Sequence, residues 1–153
     1  MKFEGIYTPI VTPYDDNHGI NYDAVEAIVD DLISSGVHGL IVAGTTGEYY
    51  SQEKDERLQL MKTCKEVIDN RLPFVVGTGA IRTEDSVFFA EEAAKVGADA
   101  ILVSTSPYAL PTERENALHA LAIDRAANLP ILSLIHISEP TRRYAIAYAV
   151  FGV

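Results

Sequence analysis

The sequence predicts an α/β fold of repeated strand–helix units around a parallel sheet. Three observations predict it. Short apolar runs rich in valine and isoleucine recur along the chain, and segments of helical periodicity separate them. In addition, Gly36-Val37-His38-Gly39-Leu40-Ile41-Val42 returns in pattern as Gly97-Ala98-Asp99-Ala100-Ile101-Leu102-Val103, each a glycine helix stop followed at once by a buried strand. Continuous apolar runs too short for helices mark strands covered on both faces. Repeated units of this kind build either a doubly wound sheet or an eight-fold βα barrel, and the pattern alone leaves both open. An eight-fold barrel takes roughly 250 residues; these 153 residues hold four units and part of a fifth.

The runs Gly5–Pro13, His38–Gly44, Pro73–Gly79 and Ala98–Thr105 are read as the strands, with a fifth beginning at Leu129-Pro130-Ile131. In the first helix Val25, Ile28, Val29, Leu32 and Ile33 fall on one face, with Asn21 to cap its start and Gly36 its end. The second repeats the pattern after Ser51 through Leu60, Met61, Cys64, Val67 and Ile68. The third opens at Thr83 and closes at Gly97. The fourth opens with Thr112-Glu113-Arg114-Glu115, a capping box in which hydroxyl and carboxylate satisfy each other's backbone N–H groups. Its buried face is expected at Leu118, Leu121 and Ala122.

Composition narrows the function classes. Hydrophobic residues make up 48% and charged residues 22%, the balance of a globular domain with a real core. A net charge of −10 with no Lys/Arg cluster would repel a phosphate backbone, which excludes nucleic acid as a partner. Cys64 is the lone cysteine, so neither an internal disulfide nor a Cys-rich metal site is expected, and a reduced, cytoplasmic setting fits. The opening MKFEGIYTPIV carries Glu4 and no long apolar core, unlike a signal peptide. No run approaches the ~18 apolar residues that a membrane span needs.

In βα folds ligands sit at the C-terminal ends of the strands. The second strand ends in Gly44-Thr45-Thr46-Gly47-Glu48, where two glycines permit a tight turn and two hydroxyls with exposed N–H groups form a small anion cradle. Without a lysine or GxGxxG spacing, it suits a carboxylate better than a pyrophosphate. A plain capped turn is the other reading. Glu48 is expected to cap or hydrogen-bond rather than catalyse. Gly77-Thr78-Gly79-Ala80 reads as a turn that packs strand against helix. Tyr108, after Ser104-Thr105-Ser106-Pro107, is placed to donate a proton or to wedge under the next loop. Thr8-Pro9 and Thr12-Pro13 read as shape, and Tyr49-Tyr50 as cover for a mouth or interface. His18, His38 and His119 form no pair at metal-binding spacing, so no metal is expected.

Gly5…Thr8-Pro9 with Thr12-Pro13, then Gly44-Thr45-Thr46-Gly47-Glu48, Gly77-Thr78-Gly79-Ala80 and Pro107-Tyr108 together resemble the dihydrodipicolinate synthase / N-acetylneuraminate lyase family over about residues 3–131. The resemblance implies the N-terminal half of a (β/α)8 TIM barrel, truncated after strand five. It implies a class I aldolase chemistry without a cofactor, in which a lysine amine forms a Schiff base with pyruvate that then adds to, or is released from, an aldehyde. By the same resemblance Thr45 and Thr46 hold the pyruvate carboxylate, Thr45 and Tyr108 serve catalysis in proton transfer, and the parent enzyme is a homo-oligomer. Ala109 stands where the family's second adjacent tyrosine is expected, which keeps a sugar-acid dehydratase or an N-acetylneuraminate lyase-type activity in view. A non-catalytic fragment with an anion-binding loop is the reading from another class.

Residues 1–131 are thus expected to be a partial barrel, and residues 132–153 a non-native tail. After Leu129-Pro130-Ile131 the family continues with Tyr-Asn-x-Pro-x-Arg and then the Schiff-base lysine on strand six. Here Leu134 occupies the tyrosine's place, and Leu132–Arg142 resembles a translated transposase-end adapter from sequencing libraries. Lys54, Lys62, Lys65 and Lys95 fall in helical segments and Lys2 at the terminus, so no lysine ends a strand and the chain itself is expected to be inert. The encoding DNA across Leu132–Arg142 is expected to match the adapter base for base. An independent genomic clone with other synonymous codons would overturn that origin.

Overall fold

The computed structural model describes residues 3–106 and 111–133. Five strands, β1 (Tyr7–Pro9), β2 (Gly39–Val42), β3 (Phe74–Gly77), β4 (Ala100–Val103) and β5 (Ile131–Ser133), form one parallel sheet in chain order. The register sets Tyr7 opposite Gly39, Leu40 opposite Phe74, Val75 opposite Ala100 and Ile101 opposite Ile131. A doubly wound sheet reverses its strand order at a switch point. This sheet never reverses, which is the order of a barrel wall.

Side-chain alternation separates two apolar layers. Leu40, Val42, Phe74, Val76, Ile101 and Val103 point toward the helices and join Val25, Val29, Leu60, Met61, Phe89, Ala93 and Ile123 in the main core. Val75, Ala100 and Leu102 point the other way and pack with Tyr7, Ile41 and Leu132 in a second cluster that contains no helix residue. All four helices therefore cover one face, and the other is a barrel interior.

The helices are α1 (Tyr22–Ser34), α2 (Lys54–Ile68), α3 (Thr83–Val96) and α4 (Glu113–Ala127). Asn21 caps α1 through its Oδ1, which accepts from the Ala24 N–H at 3.0 Å. Gly36 and Gly97 take the positive φ values, +81° and +86°, that end α1 and α3. The Thr112–Glu115 box forms at α4, with the Thr112 N–H donating to Glu115 Oε2 at 2.7 Å and the Glu115 N–H to Thr112 Oγ1 at 3.3 Å.

Two expectations are corrected, the extent of the strands and the buried face of α4. The strands occupy only the centres of the apolar runs, because the flanking residues turn into the loops. Helix α2 follows Ser51 as expected, starting at Lys54 with a capping box from Glu53 and Glu56, and two 3₁₀ turns, Thr45–Gly47 and Tyr49–Ser51, precede it. On α4, Leu118 is 57% and Leu121 38% exposed, while Ile123 and Ala127 are buried. Helix α4 is the last helix among the described residues, so no following helix among them covers the flank of Leu118 and Leu121, while His119 Nδ1 lies 2.9 Å from the Thr83 hydroxyl at the start of α3. Strand β5 runs two residues past Ile131, setting Leu132 opposite Leu102 and Ser133 opposite Val103, with Leu132 packed in the second cluster.

Cys64 sits on the inner face of α2 with no exposed surface, and burial pushes its thiol up to about 12. A raised acid works in one direction. The buried neutral thiol contributes its full stability below the ordinary value of 9.0, and that contribution is lost as pH climbs from there toward about 12. At pH 8 a disulfide reagent is expected to label Cys64 only at the rate of unfolding, followed by absorbance of the released thiolate. A fast stoichiometric phase from the folded chain would contradict this placement.

Candidate functional site

The C-terminal edge of the sheet gathers the motif residues. Beyond β2 the chain passes through Ala43, which is buried and left-handed at φ +55°, then through extended Gly44 into the 3₁₀ turn Thr45–Gly47. The turn closes with the Gly47 N–H donating to Gly44 O and the Glu48 N–H to Thr45 O, both at 3.0 Å. These bonds leave the Thr45 and Thr46 amides, at the turn's first two positions, without an acceptor inside it. Both threonines are exposed. Two amides unbonded within the turn and two exposed threonines thus lie side by side at the end of β2, groups of the kind that can accept the oxygens of a small anion.

Glu48 differs from expectation. Its side chain caps neither 3₁₀ turn; its backbone does the work, left-handed at φ +55° with its carbonyl accepting from the Ser51 N–H at 2.9 Å. That conformation throws the carboxylate into solvent. Left-handed non-glycine residues each cost on the order of 1 kcal/mol, so Ala43 and Glu48 bracket a motif that its surroundings must hold.

The holding groups are visible. Thr12, expected to provide shape, donates its hydroxyl to Gly47 O at 2.8 Å, and Gln52 Nε2 donates to the same carbonyl at 2.8 Å and to Thr12 Oγ1 at 3.1 Å. The loop after β1 is thereby tied to the motif after β2. On the other side β3 presses in so closely that a Cβ on Gly77 would lie 2.3 Å from Ala43 O. Gly44, Thr45, Tyr49, Gly77, Gly79 and Ser104 line one small gap of about 10 Å³ at the ends of β2, β3 and β4. Thr46 stands outside its lining, and Tyr108 lies outside the described residues. A larger cavity of about 190 Å³, lined by Asn70, Arg71, Leu72, Pro73 and Asp99, opens at the opposite, N-terminal edge, away from every motif residue.

Sequence reasoning missed Arg57 and Gln52. Arg57 is 2% exposed on α2 and donates from Nη1 to Gly79 O at 2.9 Å and from Nη2 to Gly77 O at 2.5 Å. Burial pulls its guanidinium down to about 10, which still leaves it charged at neutral pH. A signal was present: position 57 shares a face with Leu60, Met61, Cys64 and Ile68, and a charge in phase with a core stripe needs buried partners. Gln52 carried none, since its role depends on two loops meeting.

A sequence model of the dihydrodipicolinate synthetase family matches residues 2–135. The chain belongs to that family. The 4-hydroxy-tetrahydrodipicolinate synthase of Lactococcus lactis subsp. cremoris is 39% identical over 133 residues, covering 86% of this chain and 45% of that enzyme. The synthase of Lactobacillus acidophilus is 36% identical over 128 residues, covering 83% and 41%. The crystal structure of a dihydrodipicolinate synthase from Acinetobacter baumannii, complexed with pyruvate, superposes with a TM-score of 0.83 at 32% identity over 86% of this chain and 45% of that one. The chain therefore spans less than half the length of these relatives, and as a family member it is the N-terminal half of a TIM barrel. No helix among the described residues is long and apolar enough to cross a membrane.

The approach of β3 to the motif sets a steric test. Gly77→Ala places a methyl group against the Ala43 carbonyl, and overpacking of this kind costs roughly 1–3 kcal/mol. Urea denaturation is expected to show a loss in that range.

Proposed function

We propose that the intact protein is a pyruvate-dependent Schiff-base lyase of the 4-hydroxy-tetrahydrodipicolinate synthase type, and that this chain contributes its carboxylate-binding half. The observation that carries the reading is the Thr45–Gly47 turn beyond β2, whose first two residues are exposed threonines with amides unbonded within the turn. Thr45 and Thr46 take the two carboxylate oxygens of pyruvate. A lysine amine then attacks the keto carbon; water leaves, an imine forms, and loss of a methyl proton yields the enamine that adds to an aldehyde. Thr45 and Tyr108 pass protons during these steps. A homo-oligomeric, cytoplasmic parent is part of the same reading.

The nucleophile is the part that this chain does not supply. Lys54 opens α2 and is paired with Asp85 at 2.5 Å, Lys65 donates to Asn70 Oδ1 at 3.0 Å, and Lys95 is paired with Glu92 at 2.6 Å. Lys62 is exposed on α2. Holding an amine against the keto carbon is worth roughly 7–11 kcal/mol of barrier, and a lysine on the helical layer contributes none of it. Residues 132–153 complete this reading as a non-native tail.

Borohydride reduction of the 153-residue chain in pyruvate, followed by intact mass spectrometry, is expected to trap no specific adduct. A chimaera carrying the Lactococcus lactis synthase's second half after Ile131 is expected to trap one pyruvate on one lysine. Stoichiometric trapping at a single site on the unmodified chain would overturn the loss of the nucleophile. A chimaera that folds but traps nothing would overturn the lyase reading.

A further inference from the structure

Arg57 is the largest fully buried side chain among the described residues, and packing alone does not account for it. Leucine or methionine would fill the inner face of α2 without a charge to desolvate. The guanidinium instead lies between two rings, 5.0 Å from the centre of Tyr49 and 3.9 Å from that of Phe89, and its Nε has no partner. Among the described residues no carboxylate reaches ion-pair distance from it. Its polar partners are two backbone carbonyls, Gly77 O and Gly79 O.

The positions of those partners matter. Tyr49, Gly77 and Gly79 line the same cavity as Gly44 and Thr45. The planar fork reaches carbonyls on both sides of Thr78 and holds them toward α2, while the Thr78 N–H turns to Leu102 O at 3.0 Å. Between the two glycines only Thr78 offers a side chain to this bend, its hydroxyl donating to Leu102 O at 3.3 Å, and a lysine's single ammonium lacks the spread to grip both flanking carbonyls. With no carboxylate beside it, the guanidinium also leaves a positive charge under the cavity, where a bound anion feels it through a poorly screening interior.

We propose that Arg57 is a positioning residue of the carboxylate site: it locks the β3–α3 turn and Tyr49 in place beside Thr45 and supplies a positive charge that favours an anion there. The proposal rests on the reading of Thr45 and Thr46 as that site, and it adds a group that touches neither substrate nor reacting atoms.

The test uses the full chain with Arg57→Met, which keeps volume without charge, and Arg57→Lys, which keeps charge without the fork. Amide hydrogen exchange is followed at Gly47 and Thr78 against Val29 and Ala93 in helix interiors. Sodium pyruvate is titrated at constant ionic strength while the Thr45 and Thr46 amide resonances are recorded. Both variants are expected to speed exchange at Gly47 and Thr78 at least tenfold more than at the helix amides. Pyruvate affinity is expected to fall about tenfold in Arg57→Met and less in Arg57→Lys. Uniform acceleration with pyruvate affinity within twofold of wild type would overturn the proposal and leave Arg57 a core residue only. If the wild-type chain shows no pyruvate-dependent shifts at Thr45 and Thr46, the carboxylate site fails and the charge role with it; the locking role is then decided by exchange alone. Should Arg57→Met not fold, Arg57→Lys decides by the same readouts.

Discussion

Every strand of the sheet points the same way, and the rest of the molecule follows from that constraint. A parallel return requires a crossover, so a helix must separate each strand from the next. With the strands in chain order, the four helices fall on one face, and all the strand C-termini share one edge. Residues far apart in sequence, Thr12, Thr45, Gly79 and Ser104 among them, are brought to that edge by topology before any specific interaction joins them. Short strands of three or four residues keep the edge close to the core, so its loops are anchored by buried groups.

The anchoring has a consistent chemical form. Side chains from one loop or helix bond to backbone carbonyls of another: Thr12 and Gln52 to Gly47 O, Arg57 to Gly77 O and Gly79 O. Glycines occupy the acceptor positions, where the chain bends sharply and a Cβ would collide. The Thr45–Gly47 turn is consequently held by residues that lie outside its own motif. The motif alone therefore does not reveal what holds it.

Local physics was the legible part. Asn21, Gly36, Gly97 and the Thr112–Glu115 box act on their own helix ends, and each stands where its residue type predicted. The valine- and isoleucine-rich runs are legible for the same reason, although their pairing ends sooner than their apolarity. What remained hidden was tertiary. The inward face of α4, with Ile123 and Ala127 buried, Leu118 and Leu121 exposed and His119 against Thr83, depends on what packs beside the helix. The two 3₁₀ turns before α2, Thr45–Gly47 and Tyr49–Ser51, belong to the path of the loop after β2. Glu48 looked like a cap because of its charge, yet its backbone conformation decides its role.

The order of the strands also bears on how such a chain comes into being. Each strand pairs with the one made just before it: Tyr7 with Gly39, Leu40 with Phe74, Val75 with Ala100, Ile101 with Ile131. At roughly 5–20 residues per second of synthesis, successive partners leave the ribosome within seconds of each other. The wall can therefore lengthen unit by unit during translation, with β5 as its growing margin and no long-range loop to close first. Only the seam that joins a barrel's last strand to its first must wait for the whole polypeptide, and that seam is the one step to which these five strands do not commit the chain.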